Sequence, residues 1–247
     1  LRIYGSAIGY SANFTIADTE DSKDLIKVCI KELKIDTTER RFPSPAKLFG
    51  MISYARNASR SLTEVVETRY SNFVDLIPTI ERIAEMYELR KRRADAMDFD
   101  DLLIRLRNLL LENISVRERL ASQFQYILVD EYQDTNVIQA DIIRLFSSVH
   151  KNVLVVGDDA QSIYSFRAAE IKNILGFPQQ FGLTKTFHLT TNYRSTPEIL
   201  TLANQVIRQN VDQFEKELVS VSDKFEKPNL VPTQNGFQEA EYIAEQI

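Results

Sequence analysis

Two patterns of apolar spacing divide this chain. Through the first hundred residues apolar positions return every three or four residues, the spacing that gives a helix one buried stripe. Asp18 and Thr19 offer N-caps to a stretch in which Leu25, Ile26, Cys29, Ile30 and Leu33 share a face. Ser44 followed by Pro45 repeats the start signal, and Leu48, Met51, Ile52 and Ala55 form the stripe behind it. A longer helical pattern runs from Leu62 to Arg93, with a break expected near Pro78, and ends in the basic run Arg90, Lys91, Arg92, Arg93. That run reads either as a phosphate contact or as a solvated helix face.

Beyond about residue 120 short continuous apolar runs begin to alternate with helical segments. The runs are Phe124–Val129, Val153–Val156 and Phe187–Thr191; the helical segments are Asn136–Ser147, Phe166–Leu175 and Ser195–Gln209. This order predicts an α/β fold whose parallel sheet is covered on both faces. Ser195, with Glu198 three residues on and Pro197 in the first turn, predicts a capping box. Phe181–Thr186 reads as a linker into a further unit.

Composition narrows the possible functions. With 247 residues, 44% hydrophobic and 26% charged, the chain has the make-up of a folded protein of one large or two small domains, which excludes a disordered tail or a fibre. No run approaches the ~18 apolar residues of a membrane span, and the opening Leu1-Arg2-Ile3-Tyr4-Gly5 lacks the pattern of a secretory signal. One cysteine and two histidines leave no internal disulfide and no zinc set, so a reducing, cytoplasmic setting is expected. At a net charge of −5, any nucleic-acid binding must rest on a local patch. None of the seven glycines belongs to a G-x-x-x-x-G-K-[ST] phosphate loop, so this stretch by itself is not a complete P-loop ATPase.

In open parallel sheets ligands bind at the carboxyl ends of the strands. The run Tyr126–Val129 ends in Asp130-Glu131-Tyr132-Gln133-Asp134, two adjacent carboxylates at a strand tip. Asp130 suits a Mg²⁺ ion held directly or through water, and Glu131 suits the orientation and deprotonation of an attacking water. The second run ends in Gly157-Asp158-Asp159-Ala160-Gln161, where Gln161 can both donate and accept, as a phosphate sensor must. Tyr164 and Phe166, two apart and beside Arg167, suit a platform for unpaired bases, or else two aromatics packed under a loop. The third run leads into Asn192-Tyr193-Arg194-Ser195, whose guanidinium can reach phosphoryl oxygens. Together the three tips describe a site for Mg²⁺ and a nucleotide.

These segments resemble a known family. Ile127–Asn136, I-L-V-D-E-Y-Q-D-T-N, is similar to the Walker B motif of the UvrD/Rep/PcrA family of superfamily 1 DNA helicases. Val156–Ala169, V-G-D-D-A-Q-S-I-Y-S-F-R-A-A, resembles its motif III, and Asn192–Thr196, N-Y-R-S-T, its motif IV. Asp98-Phe99-Asp100-Asp101-Leu102 resembles the segment where the inserted helical domain 1B returns to domain 1A. The resemblance implies a partial RecA-like P-loop NTPase sheet with an inserted all-helical domain and the start of a second RecA-like domain. It implies residues 1–97 as domain 1B-like, 98–184 as the C-terminal half of domain 1A, and 185–247 as the beginning of domain 2A. The chain is then expected to be an internal piece of a longer helicase, without Walker A, motif V or motif VI.

By the same resemblance Asp130 coordinates Mg²⁺, Glu131 is the catalytic base for ATP hydrolysis, Gln161 and Arg194 contact the γ-phosphate, and Tyr193 stacks on adenine. Tyr164, Phe166, Arg167 and Phe99 contact single-stranded DNA. The implied activity is ATP-dependent 3′ to 5′ translocation along single strands and unwinding at duplex junctions, in DNA repair or replication. Two departures stand out: Ala160 interrupts the family's usual acid-glutamine pair, and Ala168 stands where the family usually has glycine. Two further readings of the residues stay open. One is a Mg²⁺-dependent nuclease or phosphatase built on Asp130, Glu131, Asp134, Asp158 and Asp159 around two metals; the other is a non-catalytic single-stranded DNA-binding module.

Overall fold

A computed structural model describes residues 1–38, 42–182 and 184–247, and of Arg167 the backbone only. The chain divides into two compact units, Leu1–Leu183 and Thr184–Ile247, with the boundary inside the expected linker.

The first unit begins with β1 (Thr15–Ile16), α1 (Thr19–Glu32), α2 (Pro45–Asn57), α3 (Leu62–Arg69) and α4 (Ile77–Arg93). Asp18 caps α1 in a capping box with Asp21, and Ser44 caps α2 with Pro45 in its first turn, as the start signals predict. The break in the long pattern falls at a 3-10 segment, Ser71–Leu76, so that Pro78 sits in the first turn of α4, where its missing N–H costs nothing. The stripes of these helices meet in one core containing Ile26, Cys29, Leu48, Met51, Val66, Ile83 and Tyr87. Each such aliphatic side chain contributes about 1.5–3 kcal/mol on burial.

The chain continues through β2 (Ala96–Met97), α5 (Phe99–Glu112), α6 (Ile114–Gln123), β3 (Ile127–Val129), α7 (Val137–Phe146), β4 (Val153–Val155), α8 (Lys172–Leu175) and α9 (Phe177–Phe181). β2 pairs in parallel with β1, and β3 in parallel with β4 in the register Ile127↔Val153, Leu128↔Leu154, Val129↔Val155. A second core, Leu110, Ile138, Ile142 and Leu145, joins α5 to α7.

Three sequence expectations are corrected in this unit. The β3–β4 sheet is not covered on both faces, since Leu128 is 73% and Leu154 54% exposed. Phe166–Leu175 is not one helix: a 3-10 turn at Ser165–Arg167 and the four-residue α8 are separated by Ala168 in a left-handed conformation, which no helix continues through. The basic run at the end of α4 is neither a phosphate contact nor a solvated face at Lys91. That residue is buried, and its ammonium lies 2.6 Å from Asp98 Oδ2, 2.6 Å from Asp101 Oδ2 and 2.8 Å from Glu88 Oε1. Arg56 of α2 completes the network, ion-paired to Asp101, to Glu88 at 2.8 Å and to Asp98 at 3.3 Å.

The network also starts α5. Asp98 and Asp101 cap that helix reciprocally, Asp98 Oδ1 accepting the Asp101 amide at 2.7 Å and Asp101 Oδ2 accepting the Asp98 amide at 3.1 Å. The same carboxylates take Lys91, and the Tyr87 hydroxyl donates to Asp98 at 2.8 Å. Burial alone raises the Asp98 carboxyl, but Lys91 and Arg56 outweigh it and hold the group down to about 2. Burial, reinforced by the Asp98 charge, pushes the Tyr87 hydroxyl up.

The second unit contains β5 (Thr191–Asn192), α10 (Pro197–Ile207), β6 (Val219–Ser220) and α11 (Gly236–Gln246). β5 and β6 pair in parallel, and the Asn204 side chain holds the chain entering β6 by bonding both the N–H and C=O of Leu218. The expected capping box is not formed. The N-cap of α10 is Thr196 rather than Ser195, without a side-chain cap bond, and Glu198 accepts the amide of Phe225 instead. Among the described residues, no helix is long and apolar enough to cross a membrane.

Candidate nucleotide and nucleic-acid site

The parallel register of β3 and β4 brings two of the three expected strand tips side by side. Asp130 and Glu131 follow β3 directly, both exposed, and Asp130 Oδ1 accepts the Glu131 amide at 3.0 Å. Glu131 itself sits in the left-handed region, φ 51 and ψ 42. A residue with a Cβ pays about 1–2 kcal/mol for that conformation, so the surroundings must impose it. Backbone bonds of the turn that follows do so: Tyr132 N–H donates to Val156 O at 3.0 Å, and Asp134 N–H donates to Glu131 O at 3.0 Å.

Gln133 lies buried between the tips, 1% exposed. Its amide nitrogen donates to Glu131 Oε2 at 2.7 Å, and its oxygen accepts the Asp158 N–H at 3.0 Å. Asp158 in turn accepts from Gln161 Nε2 at 2.7 Å and from the Ala160 amide at 3.1 Å. Glu131 and Gln161 therefore stand at the ends of one hydrogen-bonded chain. Gly157 makes room for it, because a Cβ there would stand 2.5 Å from Gln133 Oε1 and 2.8 Å from Ile174 Cδ1.

Tyr164 and Phe166 form a pair beyond this turn, ring centroids 5.7 Å apart and tilted by 49°. Phe166 is 58% exposed, so the pair is not packed away under a loop. Ala168 closes the segment in the left-handed region at φ 66, a position glycine adopts without cost. Phe99 is also exposed, on the first turn of α5 beside the buried network. The side chain of Arg167 lies outside the described residues. In the second unit Asn192 Oδ1 accepts the amides of Arg194 and Ser195 at 2.9 and 2.8 Å, a turn that leaves Tyr193 and Arg194 exposed.

The acids do not form the cluster a two-metal phosphodiesterase needs. Among the described residues the one set of three carboxylates whose ligand atoms lie within 4.8 Å of one another is Glu88, Asp98 and Asp101, and Lys91 and Arg56 already neutralise it. The nuclease reading of Asp130, Glu131, Asp134, Asp158 and Asp159 is set aside on that ground. Asp130 and Glu131, exposed and all-oxygen, fit a hydrated Mg²⁺ of the kind that arrives with a nucleotide.

Residues 1–182 match the model of the UvrD/REP helicase N-terminal domain, and residues 187–247 that of the UvrD-like helicase C-terminal domain. The chain belongs to the UvrD/Rep helicase family. Among the relatives of this chain are proteins named ATP-dependent DNA helicase PcrA from Leuconostoc citreum, Staphylococcus epidermidis and Staphylococcus aureus, each 36% identical over all 247 residues. The chain spans about a third of the length of these helicases, 32% of the first and 33% of the other two. The mixed helices and short parallel sheets are those of a partial RecA-like helicase fold.

Proposed function

We propose that this chain is the part of an ATP-dependent 3′ to 5′ DNA helicase that joins the water-activating site to the strand-binding surface. The observation that carries the reading is the juxtaposition of an exposed Asp130-Glu131 pair with Gln161 across two paired strand tips. In this reading residues 1–97 belong to domain 1B, 98–184 to the C-terminal half of domain 1A and 185–247 to the start of domain 2A. The buried Cys29 thiol suits a cytoplasmic setting.

Glu131 orients and deprotonates the water that attacks the γ-phosphate, and Gln161 and Arg194 contact that phosphate. Asp130 would hold the Mg²⁺, which when bound would neutralise negative charge on the phosphates. Tyr193 stacks on the adenine. Tyr164 and Phe166, with Phe99 and Arg167, take the bases and backbone of single-stranded DNA at a duplex junction, each stacked base contributing about 1–3 kcal/mol. The motif III segment then links nucleotide state to strand grip, since Gln161 and Tyr164 are three residues apart.

Glu131→Gln in the complete protein is the test. It should lower DNA-stimulated ATP turnover by about 100-fold or more and leave nucleotide binding within a few-fold, the loss typical of a general base. Unchanged turnover sinks the assignment. If the complete protein binds single strands through Tyr164 and Phe166 without turning over ATP at all, the non-catalytic module is the correct reading.

A further inference from the structure

Gln133 stands between the two residues the proposed mechanism uses, and neither composition nor periodicity gives it a role. A buried primary amide has to satisfy its donors and acceptors. Here the partners fix which way it points: a carboxylate only accepts and a backbone N–H only donates, so Nε2 must face Glu131 and Oε1 must face Asp158. The amide therefore cannot flip without losing both bonds.

Two further features are shaped around this contact. Gly157 sits where any Cβ would stand 2.5 Å from Gln133 Oε1, so the end of β4 is open to admit the side chain. Glu131 has an exposed side chain on a left-handed backbone, and Gln133 is the buried group against its carboxylate. On the far side the Asp158 amide that Gln133 accepts belongs to the residue whose carboxylate takes Gln161 Nε2. A shift of the Gln161 turn is thus passed to the orientation of Glu131 through one buried side chain.

We infer that Gln133 is a positioning residue for Glu131, and that it ties the direction of the base to the state of the Gln161 turn. This rests on Glu131 being the base. The chemistry is economical: a neutral amide offers one donor to the base and one acceptor to the neighbouring strand tip, which neither a carboxylate nor an ammonium can do.

The experiment uses the complete protein carrying Gln133→Met, Gln133→Glu and, as a control, Glu131→Gln. Methionine keeps the volume and removes both bonds, while glutamate keeps the acceptor for Asp158 and sets a second carboxyl against Glu131 in place of the amide donor. In both Gln133 variants kcat for DNA-stimulated ATP hydrolysis should fall by about 10- to 100-fold, the loss expected when a reacting group is misplaced by an ångström or less. The KM for ATP and the affinity for single-stranded oligonucleotide should stay within about threefold, a split a general packing defect does not produce. Should the methionine variant fail to fold, the glutamate variant alone carries the test. If Glu131→Gln stops turnover but both Gln133 variants keep kcat within about twofold, or lose kcat, ATP binding and DNA binding in parallel, the positioning role is overturned by itself. If turnover survives Glu131→Gln, the base assignment fails and this inference fails with it.

Discussion

Lys91→Met is the sharpest test of how the helical part is fastened to α5. The substitution keeps an unbranched apolar side chain and removes the ammonium, which lies over the Tyr87 ring and which three carboxylates share. Breaking a buried ion pair by deleting one partner costs about 3–5 kcal/mol, because the remaining charge keeps its desolvation penalty and loses its compensation. Arg56 stays behind and still reaches Glu88, Asp98 and Asp101, which places the expected loss near the lower end, about 3 kcal/mol. Against a typical total of about 5–15 kcal/mol that is a large fraction. Urea titration followed by far-UV circular dichroism measures it. The double variant Lys91→Met/Asp98→Asn should recover about 1–2 kcal/mol of the loss, since asparagine still caps α5 and carries no charge.

Acid sharpens the same test. The Asp98 carboxyl titrates near 2 in the folded chain against ~3.9 when unfolded, so the unfolded state binds the proton first as pH drops. The stabilisation, about 2–3 kcal/mol, is complete above about pH 5 and is lost as pH falls through 4 towards 2. In Lys91→Met that acid-sensitive increment should shrink. A loss under about 1 kcal/mol at neutral pH, or no rescue by Asp98→Asn, refutes the view that these charges hold one another in place.

Other outcomes follow from the strand tips. Gly157→Ala forces its Cβ against Gln133 and should destabilise by about 1–3 kcal/mol in a thermal melt; an unchanged midpoint would mean that the tips yield easily. Tyr164→Ala with Phe166→Ala should weaken single-strand binding by about 30-fold or more at fixed salt, measured by anisotropy of a labelled oligonucleotide in the complete protein. A change below about threefold removes the aromatic pair from the strand-binding surface.

The helical start signals at Asp18 and Ser44 were legible because a cap is a local event: each accepts from an amide two or three residues ahead. The acidic and glutamine tips were legible for a similar reason, as each directly follows a strand or lies in the turn beyond it. Lys91 was not, since a run of four basic residues carries no mark of which one turns inward to meet Asp98 and Asp101. A signal was nonetheless present in Asp98-Phe99-Asp100-Asp101, whose first and last members form a reciprocal cap. Gln133 was missed because its partners, Glu131 and Asp158, lie on different strand tips, and only the pairing of β3 with β4 brings the second within reach. The capping box at Ser195 failed by one residue, because the Asn192 side chain takes the Arg194 and Ser195 amides and moves the helix start to Thr196. The covered sheet failed because apolar strands state what a face prefers, whereas cover depends on what else is packed there.

The single thiol, Cys29, lies wholly within the core of the helical bundle, and burial pushes it up to about 11. A sulfhydryl reagent reaches it only when that bundle opens. Its rate of modification is thus a clock for one region of the chain, counting openings of the α1–α4 core and staying silent to motion at the strand tips or in the second unit. A chain with one cysteine placed there carries its own reporter of local unfolding, with no label to engineer and no background to subtract.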